Sequence, residues 1–397
     1  MRLTGKESIE IRNFGPIKDV SLWNLKKVNV FIGESGSGKS TVMKVLAMMR
    51  WIYKMICVRS YLKVSGISNT PFRLRLDAIL SKNGLKPFLR NDTVILYSNG
   101  DFDIQIRNGK ILFPQKIVSP DELTIQKVAY ISDKRVLVPD LAVGNVALRH
   151  NMFYLDETFL NFQKAIDTIG ASDMDYLGVK MNVRKSSGSK RVYISGASSE
   201  AGYDNLPLTS ASSGIQSSVA LHFIMQYFAD HYDIVDALNS TIVKYLAESD
   251  NLSKFKATTD IGRFPNKRIS IHVEEPELSL FPTNQWGLMK YLVRLCQNSR
   301  NAEIDMTLAT HSPYILTALN VMTFAYRANA KNSVATSALI EDIPLLNPED
   351  VGAWSVAEGY ADSIIDAELE MIDGTALDTA SDIYETLLGK LSDIIYG

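Results

Sequence analysis

The chain has 397 residues, 46% hydrophobic and 22% charged, with a formal net charge of −2. This is the composition of a globular protein with enough apolar material for two or three packed units, and it argues against a disordered or fibrous chain. No apolar run approaches membrane-spanning length, the Met1–Lys6 stretch lacks the apolar core of a signal peptide, and Cys57 and Cys296 are isolated thiols that read as small core hydrophobes rather than as part of a zinc or disulfide framework; a cytoplasmic, reduced setting is expected.

The first predicted element that carries chemistry is the apolar strand Val28–Ile32, followed by Gly33-Glu34-Ser35-Gly36-Ser37-Gly38-Lys39-Ser40-Thr41 and by an apolar-periodic helix from Val42. A G-x-x-x-x-G-K-S run between a strand and a helix is a phosphate loop. Its backbone N–H groups wrap a polyphosphate at a helix N-terminus, where the dipole favours negative charge. Gly33, Gly36 and Gly38 let the backbone approach the phosphates, Lys39 supplies a cation for the β- and γ-phosphates, and the Ser40 hydroxyl can ligate Mg²⁺. The expected ligand is a nucleoside triphosphate.

Residues 54–90 hold eight basic side chains, among them Arg73, Arg75 and Lys86, against Asp77 alone, which offers a landing site for something acidic. Strand-like alternation follows at Thr93–Tyr97, Phe102–Ile106 and Lys110–Phe113, joined by a Ser98–Asp101 turn and an Asn108-Gly109 turn that favours a tight hairpin. A helical stretch is expected over Met152–Ile169, and Val179–Val183 and Arg191–Ile194 flank a basic hairpin loop, Arg184–Lys190. Ser212, Ser213 and Gly214 then open an apolar helix, a second candidate anion-binding N-terminus.

The strand Ile269–Val273 ends in Glu274-Glu275-Pro276-Glu277. Two carboxylates at a strand end suit a nucleotide site: Glu274 to the Mg²⁺ shell and Glu275 to the attacking water. Thirty-six positions after Glu275, the strand around Thr307–Thr310 ends in His311, a polar residue placed as a γ-phosphate sensor, whereas His150, His222, His231 and His272 read as structural.

The order of these four motifs resembles the ATP-binding-cassette superfamily, and within it the branch containing the heads of chromosome-maintenance and recombination-repair ATPases and the overcoming-lysogenization-defect nucleases. Glu7–Ile17 is similar to the opening strand of that branch, and Glu274-Glu275-Pro276-Glu277 with Leu280, Pro282 and Gln285 is typical of it; the resemblance covers residues 7–50 and 200–325. It implies ATP and Mg²⁺ as cofactors, ATP hydrolysis with Lys39, Glu275 and His311 as catalytic groups, and Arg12 either against the adenine or in a surface ion pair. In this family a nucleotide is sandwiched between two heads, so Ser212, Ser213 and Gly214 are expected to act in trans, although Ser212-Ser213-Gly214-Ile215 departs from the family's Ser-Gly-Gly-Gln. The implied assembly is at least a dimer, up to a form such as a hexamer. The family's glutamine lid is not obvious; Ser132 and Arg135 are its nominees.

The expected fold is therefore α/β: an ABC-type P-loop head, a mixed sheet with flanking helices, carrying an antiparallel β subdomain and a short helical insert. Boundaries are expected at 1–57 (head with the phosphate loop), 58–200 (inserted β and helical arm), 201–330 (remainder of the head) and 331–397 (an acidic helical lobe). Ser40 and Ser212 lie 172 positions apart, more than a transporter cassette needs, and no sustained heptads mark a chromosome-maintenance arm. Val356–Asp362 resembles a first Toprim nuclease motif, but only 35 residues follow Asp362, and Asp366, Glu368 and Glu370 come at once in what reads as a helix, so the effector is expected on another chain. The whole looks most like the ATPase subunits of bacterial anti-phage operons, in particular the PARIS type, where a separate Toprim nuclease is held by the ATPase and an acidic phage protein is the trigger. The alternative is a RecF- or SMC-like DNA-repair ATPase that clamps duplex DNA; nucleic-acid binding stays open, and no membrane partner is expected.

Overall fold

A computed structural model describes residues 7–67, 74–100, 102–113, 117–119, 122–144, 153–186, 189–198, 202–248, 266–340 and 342–377. Strands β1 (Glu7–Phe14), β2 (Ile17–Leu22) and β3 (Val28–Ile32) lead through the phosphate loop into helix α1 (Lys39–Val64), and α2 (Leu76–Lys82) follows. Next come β4 (Val94–Asn99), β5 (Phe102–Arg107), β6 (Lys110–Leu112), β7 (Thr124–Ile131), α3 (Val138–Gly144) and α4 (Phe153–Thr168). A separate four-stranded antiparallel sheet is built from β8 (Ala171–Met174), β9 (Val179–Ser186), β10 (Ser189–Gly196) and β11 (Leu206–Pro207). Helices α5 (Ser213–Gln226) and α6 (Ile234–Glu248) precede β12 (Asn266–Glu274), α7 (Pro282–Asn298), β13 (Glu303–Ala309), α8 (Pro313–Lys331) and α9 (Ser333–Leu339). The described chain ends with β14 (Val351–Ala357), β15 (Tyr360–Ser363), β16 (Ile365–Asp366) and β17 (Met371–Ile372).

One eleven-stranded sheet, in the order β6-β5-β4-β1-β2-β15-β14-β3-β13-β12-β7, organises the molecule. Its two halves follow different rules. From β6 to β2 most neighbours are antiparallel, and the strands alternate between buried and wetter residues, as in Ile95, Tyr97, Ile104 and Ile106. From β14 to β7 all neighbours are parallel and the strands are buried on both faces along most of their length, Val28–Ile32 at every position. The phosphate loop therefore leaves β3, the paired carboxylates leave β12 and His311 follows β13 at one end of the sheet, the carboxyl end where open α/β sheets bind ligands. The α/β mixed-sheet fold expected from the sequence is the fold observed.

Helix α1 runs 26 residues without glycine or proline and is buried on most of its circumference. Halfway along it, Arg50 is fully buried and gives a bidentate pair to Glu7 of β1 (2.8 and 3.0 Å) and a contact to Asp305 of β13 (2.8 Å). Arg268 of β12 bridges the same two carboxylates at 2.7 and 2.6 Å, while Tyr97 and Ser270 donate to Glu7 and Asp305. Burial alone would raise the Glu7 carboxyl, but Arg268 and Arg50 outweigh it and hold it far below the usual carboxylate range. This four-charge knot ties the phosphate-loop helix to the strands that carry the carboxylates and the histidine. His272 lies against it, 3.4 Å from Arg50, and burial and that arginine keep its imidazole neutral, which fits its structural assignment. His222 is buried as well, stacked on Tyr291, whereas His231 is exposed and His150 lies outside the described residues.

Three boundaries differ from expectation. Helix α1 continues past residue 57 to Val64, because Val58, Tyr61 and Leu62 still face the core. Residues 58–200 are not a separate arm: β4–β6 extend the main sheet beyond β1 and β7 closes its other edge, leaving β8–β10 and helices α2–α4 outside it. The 331–397 segment is not a helical lobe over its described part. Val351–Val356 is a largely apolar strand inserted beside β3, and the described acidic residues flank it, Asp342, Glu349 and Asp350 before it and Glu358, Asp362, Asp366, Glu368, Glu370 and Asp373 after it. Asp366, Glu368 and Glu370 belong to the β16–β17 hairpin, where the Asp366 carboxylate accepts from the N–H groups of Glu368 and Leu369 at 2.8 Å and caps a turn rather than a helix. Val356–Asp362 is accordingly the β14–β15 hairpin of the main sheet itself.

Candidate functional site

Between β3 and α1 the loop turns through three positive-φ glycines, Gly33, Gly36 and Gly38. A Cβ at Gly33 would lie 2.2 Å from the Val356 carbonyl and one at Gly38 2.7 Å from Ile17, so both positions exclude a side chain, whereas Gly36 faces open space. Lys39 folds back and donates to the carbonyls of Gly33 (2.7 Å) and Glu34 (2.8 Å). Burial lowers its amine pKa, and Glu275 and Glu277 oppose that shift. The Ser37 hydroxyl is buried without a hydrogen-bond partner among the described residues. An open glycine and a cation resting on two carbonyls form a cradle that fits a polyphosphate.

A cleft of about 360 Å³ opens from this loop. It is lined by Ser35, Gly36, Gly38, Lys39, Ser40 and Thr41 together with Asp133, Glu274, Glu275, Ala309 and His311. Gly33, Glu34 and Ser37 shape the loop without lining the cleft among the described residues. Pro16 and Phe88 add an apolar lip, and Phe88 is braced edge-on by Phe14.

Glu274 is nearly buried at the end of β12, with Lys44 of α1 3.5 Å from one carboxylate oxygen. It lines the same cleft as Ser40, and the two offer oxygen atoms of the kind a hard divalent cation takes. Glu275 adopts a left-handed backbone (φ 44°), uncommon for a side chain of this size, while its N–H donates to the Ala309 carbonyl at 2.8 Å. Burial, then Glu277, raise its carboxyl pKa against the pull of His311 and Arg135, which brings it closer to the range of a working base.

Three contributors were not legible beforehand. Arg135 is not a lid: it is fully buried, and its guanidinium donates to the carbonyls of Glu274 (2.7 Å), Glu275 (2.5 Å) and Pro276 (3.3 Å), clamping the carboxylate-bearing turn. Asp133, not Ser132, reaches the cleft; the Ser132 hydroxyl donates to its carboxylate at 2.8 Å. Glu277 accepts from the Thr310 hydroxyl (2.7 Å) and the His311 N–H (2.9 Å), holding the histidine loop against the carboxylate turn. Glu277 stood in the sequence two positions after Glu275, and its acidic side chain was the available signal.

Arg12 is half-exposed on β1, paired with Glu10 (3.1 Å) and Asp19 (3.5 Å), and does not line the cleft among the described residues. Of its two expected placements, the surface ion pair is the one observed. Ser212, Ser213 and Gly214 are also absent from the cleft lining. Ser212 is the N-cap of α5 without a capping hydrogen bond, and Ser212 and Ser213 are exposed. Gly214 packs so closely on the Ser279 carbonyl that a Cβ would approach to 2.5 Å, and the Ser217 hydroxyl donates to the Leu278 carbonyl at 2.9 Å. The helix end is thus seated on the turn that follows the paired carboxylates, with Ser212 and Ser213 exposed at its start.

A family model described as an AAA ATPase domain matches residues 6–52, the opening strands, the phosphate loop and the first half of α1. No match is found among curated proteins. Solved structures similar to this chain include the SmcHead bound to the C-winged helix domain of ScpA, with 12% identity, 92% of this chain and 100% of that one covered, and a TM-score of 0.36. The SMC head domain from Thermotoga maritima gives 12% identity, 91% and 98% coverage and a TM-score of 0.36. The Smc head domain with an extended coiled coil, bound to the C-terminal domain of ScpA from Pyrococcus furiosus, gives 10% identity, 96% and 99% coverage and a TM-score of 0.37. The α/β class of this chain rests on its own sheet and helices. No helix among the described residues is long and apolar enough to cross a membrane.

Proposed function

We propose that the chain binds and hydrolyses ATP as an ABC-type ATPase, with each nucleotide shared between two copies. The observation that carries this reading is the convergence of Lys39, Ser40, Glu274, Glu275 and His311 on one cleft at the carboxyl ends of adjacent parallel strands. Lys39 exchanges its two loop carbonyls for phosphate oxygens, and the loop N–H groups take the rest of the charge. Ser40 and Glu274 hold Mg²⁺, which when bound neutralises charge on the phosphate oxygens. Glu275 orients the attacking water and accepts its proton, and His311 contacts the γ-phosphate. Pro16 and Phe88 give the base an apolar surface.

The outward-facing end of α5 supports completion of the site by a second copy, with Ser212, Ser213 and Gly214 contributed in trans. A Ser212→Arg chain and a Lys39→Ala chain are each expected to be inactive alone. In a one-to-one mixture half of the dimers are mixed, each with one intact site of two, so about a quarter of wild-type activity is expected. No recovery in assemblies verified as mixed would rule out the shared site.

We read the ATP cycle as a switch for a separate effector, a Toprim-type nuclease, in a bacterial anti-phage system, with an acidic phage protein as trigger. Support comes from the sequence resemblance and from exposed basic groups on and near α2. Arg75 is exposed at the N-cap of α2, and Lys86 is exposed and paired with Asp77 at 2.7 Å; Arg73 lies outside the described residues. The same groups would serve the alternative, a repair ATPase that clamps duplex DNA. Charge reversal at Arg75 and Lys86 is expected to weaken binding of a DNA-mimicking acidic protein, with only weak duplex binding by the wild type at physiological salt. Tight duplex binding that is lost on reversal, with a shallower salt dependence, would favour the DNA clamp.

A further inference from the structure

The second half of α1 lines another cleft, of about 760 Å³, floored by the edge strand β7 and walled by α6. Trp51 stands 12 residues beyond Lys39, so roughly 18 Å of helix separates it from the phosphate loop. The walls are largely apolar, with Trp51, Met55, Tyr61, Ile234 and Leu238 facing inward. Three ammonium groups, Lys54, Lys127 and Lys164, share the cleft, and no carboxylate lines it among the described residues.

The polar groups are unevenly satisfied. Lys127 is held by Glu157 at 3.2 Å. Lys54 makes no hydrogen bond or ion pair among the described residues; burial, then the like charge of Lys127, push its amine down to about 8. Gln126 is 1% exposed; its Nε2 donates to the Ser270 hydroxyl at 3.0 Å, and its Oε1 has no partner. Glu157 opposes that shift but makes no ion pair with Lys54, and a sheltered cation without a direct partner costs free energy unless an anion fills the space beside it.

We infer that this cleft is a second ligand site, for a small anion with an apolar body. The acidic head pairs with Lys54 and Lys164, and the hydrocarbon lies on Trp51, Met55 and Leu238. The volume falls within the range of roughly 300–1,000 Å³ typical of small-molecule sites, and the mixture of apolar walls with a few converging polar groups is their usual composition.

The probe is 1-anilinonaphthalene-8-sulfonate, an anion on an aromatic body, titrated into the full chain with emission excited through tryptophan. One saturable site per chain is expected, with energy transfer that is largely lost in Trp51→Phe. Lys54→Met keeps the stem and removes the charge. It is expected to weaken the probe by about tenfold, as for a charge-assisted contact, while binding of a fluorescent ATP analogue stays unchanged and reports intact folding. The neutral analogue N-phenyl-1-naphthylamine should not respond to Lys54→Met. Displacement by decanoate at lower concentration than decyl phosphate would identify a carboxylate head, and the reverse order a phosphate head; decanol should displace neither well. Sulfonate binding unaffected by Lys54→Met, or displacement by decanol as readily as by the two anions, would overturn the proposal, and neither result would bear on the ATP site.

Discussion

Glu275→Gln is expected to bind ATP normally and to hydrolyse it at least about 10²-fold more slowly than the wild type, because only water activation is removed. The amide retains the shape of the carboxylate and keeps the left-handed backbone that presents it, so the loss appears in kcat rather than in affinity. Lys39→Ala should fail earlier. The phosphates lose the cation that now bridges the Gly33 and Glu34 carbonyls, and tight triphosphate binding goes with it. Single-turnover measurements beside equilibrium nucleotide binding separate the two effects. Wild-type turnover by Glu275→Gln would remove this residue from the mechanism. The raised pKa of Glu275 adds a sign: activity should fall on the acid side as the carboxyl becomes protonated at a pH above its ordinary value of 4.5, and Glu275→Gln should lack that limb.

Glu7→Gln is expected to cost about 3–5 kcal/mol of stability, because it leaves Arg50 and Arg268 facing Asp305 alone in a buried knot. Urea unfolding at neutral pH measures this directly. The pH dependence carries a second signature. Glu7 has a depressed folded pKa, so its contribution is fully present above the unfolded value near 4.5 and is lost as pH falls below it. Wild-type stability should therefore drop more steeply below that pH than the variant's. A loss under about 1 kcal/mol would mean that the network is not the tie between α1 and the sheet inferred from its geometry.

Much of the nucleotide site was readable because its chemistry is written in contiguous residues. Gly33–Thr41 needs only a strand before it and a helix after it, both of which show in local apolar periodicity, and β3 ends at the predicted Ile32. Glu274-Glu275 and His311 were found the same way, each at the end of a short apolar run. The structure adds that these strands are parallel neighbours, which brings residues more than 230 positions apart in the sequence into one cleft.

Long-range packing decided the rest. Family resemblance alone nominates Arg135 as a lid; only the meeting of β7 with β12 places its guanidinium on three carbonyls. Net charge misled at the C-terminus. Fourteen acidic residues suggested a solvated helical lobe, yet the short apolar run Val351–Val356 determines the fold there, because burial on both faces of a sheet outweighs the charge of the exposed turn beside it. The Glu7–Arg50–Arg268–Asp305 knot is invisible in one dimension, since its members come from three strands and a helix far apart in the sequence. The sequence by itself determined the chemistry of the phosphate loop and the order of the motifs, because those depend on neighbours along the chain. Tertiary structure alone decided which strands lie side by side, and through them which charges are buried, clamped or left facing an open cleft.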